Sequence, residues 1–146
     1  MTLWRISRHP ALDGAGGLRG SARWHTRGRP IVYCAPNPAT ALVEILVHAE
    51  IDFGDMPVEL RYLEIDATEG IPVEDVDMRA LGRRWRQDAA VTRSAGDGWL
   101  RSGRTAMLRV PSAIVPATWN ILSTPRIPTP RGFAWRARTH TGCIRG

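Results

Sequence analysis

The sequence predicts a mixed α+β fold in a single domain, and three observations carry that expectation. Short strand-like segments recur from residue 3 to residue 123, a well-signalled helix sits between the second and third of them, and 146 residues suffice for one hydrophobic core but not two.

The first segment, LWRIS (3–7), alternates apolar and polar residues as a half-buried strand does. GAGGLRGS (14–21) is glycine-rich and reads as a flexible loop that delivers Arg23 and Trp24. RPIVYCA (29–35) has the β-branched and aromatic content of a strand, with Tyr33 near its end. In APNPATALVEILVHAE, Asn37 is a helix N-cap and Pro38 takes the first helical position, so a helix runs from about Pro38 to Ala49 with Glu44 in its middle. PVELRYLEID (57–66) sets Val58, Leu60 and Tyr62 against Glu59, Arg61 and Leu63, a strand with one face partly wet.

Residues 67–86 hold turns and a short arginine-rich piece. RQDAAVTRSAGDGWLRSG (86–103) is helical at its start and expected to lose regularity around Gly96 and Gly98. TAMLRVPSAIVP (105–116) is a buried strand stopped by prolines, and TWNILS follows it. The order is β, loop, β, α, β, α, β. Past Ser123 the character changes: residues 124–146 carry three prolines in their first seven positions, five arginines and no amphipathic period. The expected organisation is therefore a domain over 1–123 and an atypical, disordered basic tail over 124–146.

Composition excludes several function classes. All 20 basic residues are arginine, so a P-loop lysine and a Schiff-base lysine are both excluded. The formal charge of +6 is mostly the tail's, because residues 1–123 are nearly neutral, which argues against nucleic-acid binding. Cys34 and Cys143 form no CxxC or Cys/His cluster, and Cys34 reads as a small buried residue. His9, His25, His48 and His140 have no metal-ligand spacing, so no metal is expected. No apolar run approaches a membrane span and MTLWRISRHP lacks the apolar stretch of a signal peptide, so a soluble, cytoplasmic protein is expected.

Glu44 is the residue that asks for an explanation. Ala41, Leu42, Val43, Ile45, Leu46 and Val47 surround it, so the helix is apolar on nearly every face and should be largely buried. A buried carboxylate without a partner costs several kcal/mol, so Glu44 should have a charged or hydrogen-bonding neighbour, in the plainest case a structural pair with an arginine, or face a cavity. Arg23 taken alone is more often a solvated loop residue, and Tyr33 taken alone more often core.

Several blocks in order resemble the RES-domain toxins of bacterial type II toxin–antitoxin pairs. They are GGLR-x-x-x-RWH, the P-I-V-Y strand, the A-T-A-L-V-E helix and GDGWLRSGRTAMLRVPSAIVP, and they run from LWRIS to NILS. The resemblance implies a fold similar to ADP-ribosyltransferases and an enzyme that cleaves the nicotinamide–ribose bond of NAD⁺ by phosphorolysis or hydrolysis. It makes NAD⁺ a substrate, inorganic phosphate a co-substrate in the first case, and no cofactor permanently bound. Carried over by position, Glu44 is the catalytic carboxylate, Arg23 binds the anionic or ribose side of the substrate, and Tyr33 stacks on the nicotinamide. Ser112 is a polar contact to the nucleotide, and Asn120 a weaker candidate. The implied partners are an Xre-type helix-turn-helix antitoxin and a second copy of the chain.

The tail departs from the resemblance. Where the family continues after WN-x-L with L-N-P-x-H-P-D-A-x-R, this chain has STPRIPTPRG. Codons for that segment, read one base earlier, permit L-N-P-A-H-P-D-A-A-R, so an out-of-frame C-terminus is expected. The domain would then lack its last strand, and the alternative reading is a catalytically impaired remnant that only binds its antitoxin.

Overall fold

The structure is a computed structural model and describes residues 1–48, 59–67, 69–127 and 135–143. In chain order the elements are β1 (Thr2–Ile6), α1 (Ala15–Arg19), β2 (Val32–Cys34), α2 (Pro38–His48), β3 (Glu59–Asp66), β4 (Val73–Asp75), α3 (Met78–Leu81), a 3-10 turn (Trp85–Gln87), α4 (Ala89–Ser102), β5 (Met107–Pro111), β6 (Trp119–Ser123) and β7 (Arg136–Cys143). The α+β expectation holds.

The strands form two sheets. One is antiparallel, in the order β1-β3-β7; the other is mixed, in the order β2-β6-β5-β4, with only the β4/β5 pair parallel. The alternation along β5 decides the layering, because Met107 is fully buried toward the first sheet while Leu108 is buried toward the helices. Leu3, Leu63, Ile65, Val32 and Met107 fill the space between the sheets. Trp24, Trp85, Trp99, Leu108 and Leu122 fill the second core, under α4.

Helix signals work as chemistry requires. The Asn37 side chain accepts the Thr40 N–H at 2.8 Å and caps α2 as expected. The expected end of that helix at Ala49, and the start of the next strand at Pro57, lie outside the described residues. Asp77 caps α3, and Asp88 caps α4 by accepting the Val91 N–H.

Five expectations need correction. GAGGLRGS is not all loop: Ala15–Arg19 form a short helix, which packs closely because Gly17 has no Cβ to meet the Arg29 carbonyl 2.2 Å away. Helix α2 is not largely buried; only Thr40 and Ala41 are, and Val47 is 54% exposed. Helix α4 runs unbroken through Gly96 and Gly98. The turn region hides β4, which is only three residues long and too short for a period to register.

The fifth correction concerns the tail. Among its described residues, Arg136–Cys143 pair with β3 along its whole length, from Glu59↔Cys143 to Asp66↔Arg136. Backbone pairing to an open sheet edge, rather than burial, orders it, since seven of its eight residues are exposed. Among the described residues, no helix is long and apolar enough to cross a membrane.

Candidate active site

Two neighbouring elements from opposite ends of the sequence build the site. Helix α2 carries Glu44, and the β5–β6 hairpin carries Ser112 and Asn120. Glu44 Oε1 accepts hydrogen bonds from Ser112 Oγ at 2.5 Å and from Asn120 Nδ2 at 2.7 Å. The Ser112 hydroxyl has little choice of direction, because its oxygen already accepts the Ile114 and Val115 N–H groups at 3.2 and 2.9 Å. Glu44 Oε2 lies 3.7 Å from His48 Nε2, one helical turn on.

The carboxylate lines a cleft of about 290 Å³, whose walls include Trp4, Arg5, Tyr33, Ile45, His48 and Asn120. Glu44 thus has hydrogen-bonding neighbours and also faces a cavity, and its partners among the described residues are a hydroxyl, an amide and an imidazole rather than an arginine.

Tyr33 lines the cleft, but its hydroxyl is engaged elsewhere. The hydroxyl points back into the protein, where it accepts the Trp24 N–H at 3.2 Å and lies 2.8 Å from His25 Nδ1. The imidazole tautomer decides which of the two groups donates in this contact. Burial lowers the His25 pKa below its ordinary 6.5, partly offset by the backbone of Gly20 and Gly17, so the ring is neutral near pH 7. Burial also pushes the Tyr33 hydroxyl upward, and it stays protonated.

The Arg23–Thr26 segment is held by α4. Thr92 Oγ1 donates to the Arg23 carbonyl at 2.6 Å, Arg93 Nε donates to the Ala22 carbonyl at 2.8 Å, and the Asp97 carboxylate accepts the Thr26 N–H and hydroxyl at 2.9 and 2.7 Å. Gly96 makes the contact possible, since a Cβ there would sit 1.6 Å from the Trp24 carbonyl oxygen.

The structure thus brings Glu44, Tyr33, Ser112 and Asn120 together and leaves Arg23 apart. The Arg23 guanidinium donates to the Arg86 carbonyl at 3.1 Å and is not part of the cleft wall. Arg5 lines the cleft; it donates from Nη1 to the Tyr33 carbonyl at 3.3 Å and has a buried Nε without a partner among the described residues. Ser112 is 3% exposed, and its hydroxyl is engaged with Glu44 and with the Ile114 and Val115 N–H groups. Sequence reasoning missed Arg5, which looked like one more polar position of an alternating strand, and His25, although it closes the quoted RWH block.

Comparison with known proteins bears on the chain as a whole. The RES domain profile matches residues 2–142. The chain belongs to the RES domain family. Toxin Res of Pseudomonas putida is 44% identical over 128 residues, which cover 88% of this chain and 87% of that protein. The Prs ADP-ribosylating toxin of Sphingobium sp. is 33% identical over 145 residues, covering 92% of this chain and 89% of that one. A chain of the M. tuberculosis MbcT–MbcA toxin–antitoxin complex shares the fold, with a TM-score of 0.72 over 98% of this chain and 83% of that chain at 18% identity. The RES match reaches into β7, well past the boundary expected at Ser123.

Proposed function

We propose that this RES-family chain is the toxin of a toxin–antitoxin pair and acts by consuming NAD⁺, breaking the bond between nicotinamide and ribose. The observation that carries the reading is the held carboxylate: Glu44 in the cleft, with Oε1 fixed by Ser112 and Asn120. When the glycosidic bond breaks, its electron pair leaves with neutral nicotinamide and the ribose carbon gains cationic character. A carboxylate fixed beside that carbon stabilises the transition state more than the ground state. With Oε1 already occupied by two donors, Oε2 is the oxygen left to act.

The other residues fit the substrate's chemistry. The Tyr33 ring suits stacking on the flat, positively charged nicotinamide. Arg5, a cleft-wall residue whose buried Nε has no partner among the described residues, suits the substrate's phosphates better than Arg23, whose guanidinium is engaged elsewhere. NAD⁺ is here a substrate, and the acceptor of the ADP-ribosyl group is water, inorganic phosphate or a protein side chain. Relatives that are toxins support the assignment, and the fold shared with a toxin–antitoxin complex supports an antitoxin partner; an Xre-type helix-turn-helix protein and a homodimer are part of the same reading.

Incubating the purified chain with NAD⁺, with and without phosphate, and analysing products by mass spectrometry tests it. Nicotinamide with free ADP-ribose means hydrolysis; nicotinamide with ADP-ribose 1″-phosphate means phosphorolysis. Glu44→Gln should lower kcat by about 100-fold or more while the chain stays folded. A folded wild-type chain that releases no nicotinamide would leave the antitoxin-binding remnant as the reading, although one of its supports, a missing last strand, is weakened by β7.

A further inference from the structure

A cleft of about 290 Å³ lies at the lower end of the range for small-ligand sites, and a dinucleotide has a second base to accommodate. The cleft shares its Trp4 wall with another hollow, of about 310 Å³, lined by Trp4, Pro38, Ala39, Tyr62 and His140. Antiparallel register puts Ile6, Tyr62 and His140 in one row across the sheet and Trp4, Glu64 and Arg138 in the next, so these side chains share a face.

Aromatic surface dominates this hollow. The Trp4 and His140 rings stand 5.5 Å apart at an interplanar angle of 40°. His140 Nε2 lies 2.7 Å from Glu64 Oε2, which fixes the imidazole while half of the side chain stays exposed. The Tyr62 ring lies across β7 at Gly142, where a Cβ would come within 2.6 Å of Tyr62 Cε2. Flat rings with exposed faces bind a nucleobase by stacking, and Arg138 on the same face provides a positive charge for an adjoining phosphate.

We propose that the hollow formed by Trp4, Tyr62 and His140 receives the adenine base of the substrate, so that strand β7 contributes a substrate subsite. The identity of the base rests on the NAD⁺ reading above; the hollow and its rings do not. Nicotinamide is then held at Tyr33 and Glu44, and adenine on the other side of Trp4.

Two measurements on the full chain test this. Calorimetric titration with adenosine monophosphate should show binding to the wild type, weakened about tenfold in His140→Ala and in Tyr62→Leu and retained in His140→Phe, which keeps an aromatic face. In steady-state kinetics the same two weakening variants should lose about tenfold in kcat/KM for NAD⁺ and be unchanged with nicotinamide mononucleotide, which has no adenine. A wild type that fails to bind adenosine monophosphate, or variants that bind it equally well, would overturn the subsite. Equal losses with both substrates would overturn it too, since they would report damage to the reaction centre. Binding of adenosine monophosphate as expected by a chain that leaves NAD⁺ intact would support the subsite and remove the reaction.

Discussion

Ser112 shows how a residue can matter to a reaction without meeting the substrate. Its hydroxyl proton has one acceptor, Glu44, because the Ile114 and Val115 N–H groups fill the other side of the oxygen. Ser112→Ala removes a donor from Glu44 and strips two backbone N–H groups of their acceptor, which should cost about 1–3 kcal/mol of stability. Denaturant titration would read that loss, and kinetics should show kcat down about tenfold with KM for NAD⁺ little changed. A rise in KM alone would instead make Ser112 a substrate contact. His25 gives a second prediction through its lowered pKa. The unfolded chain takes up a proton at this residue near pH 6.5 and the folded chain only at lower pH, so unfolding binds the proton and acid favours it. The melting temperature should fall as pH drops from 7 through 6.5 and level off below the folded value, and His25→Gln should flatten that slope. An unchanged slope would mean other groups cause it.

Helix α4 sets apart what a sequence can and cannot say. Two glycines in three residues argue against a regular helix on propensity alone, yet α4 is continuous because tertiary contacts override the local cost. The two glycines have different reasons to be there. A Cβ at Gly96 would meet the Trp24 carbonyl at 1.6 Å, whereas a Cβ at Gly98 would meet nothing within 4 Å. Gly96→Ala should therefore destabilise by about 2–4 kcal/mol, pushing α4 off the Arg23–Thr26 segment. Gly98→Ala should stabilise by about 0.5–1 kcal/mol. Thermal melts of both variants check the pair, and equal effects would mean that α4 does not pack as described. The same distinction runs through the fold. Strand β2, helix α2 and its Asn37 cap were legible because their signals are local, and Glu44 stood out because a carboxylate in ALVEILV breaks a pattern. Arg5 was hidden because its importance lies in what surrounds it: a cleft wall assembled from β1, β2 and α2. Strand β7 was hidden because Pro and Arg content reads as disorder, while the open edge of β3 that orders it lies some eighty residues earlier.

At the scale of the molecule, the two cores lie between the sheets and under α4, and none of the residues that build them comes from Arg136–Cys143. Strand β7 therefore extends the molecule more than it holds it together. The cysteines report on the two regions separately. Cys34 is buried between the sheets, and burial pushes its thiol up to about 12, against a smaller lowering by Arg5. Cys143 is exposed at the last residue of β7. A thiol reagent should label one cysteine in the native chain and two after denaturation. In a chain shortened by residues 137–146 the Cys143 signal is gone, and the labelling rate of Cys34 then measures how often the core opens. That rate should rise by no more than tenfold, which corresponds to about 1.4 kcal/mol, because the contacts that bury Cys34 all remain. Binding of adenosine monophosphate should nevertheless weaken by about tenfold or more, since His140 and Arg138 leave with the strand. Rapid labelling of Cys34 in the shortened chain would reverse the argument: β7 would then be part of what keeps the sheets closed, and its effect on the ligand would follow from the loss of the fold.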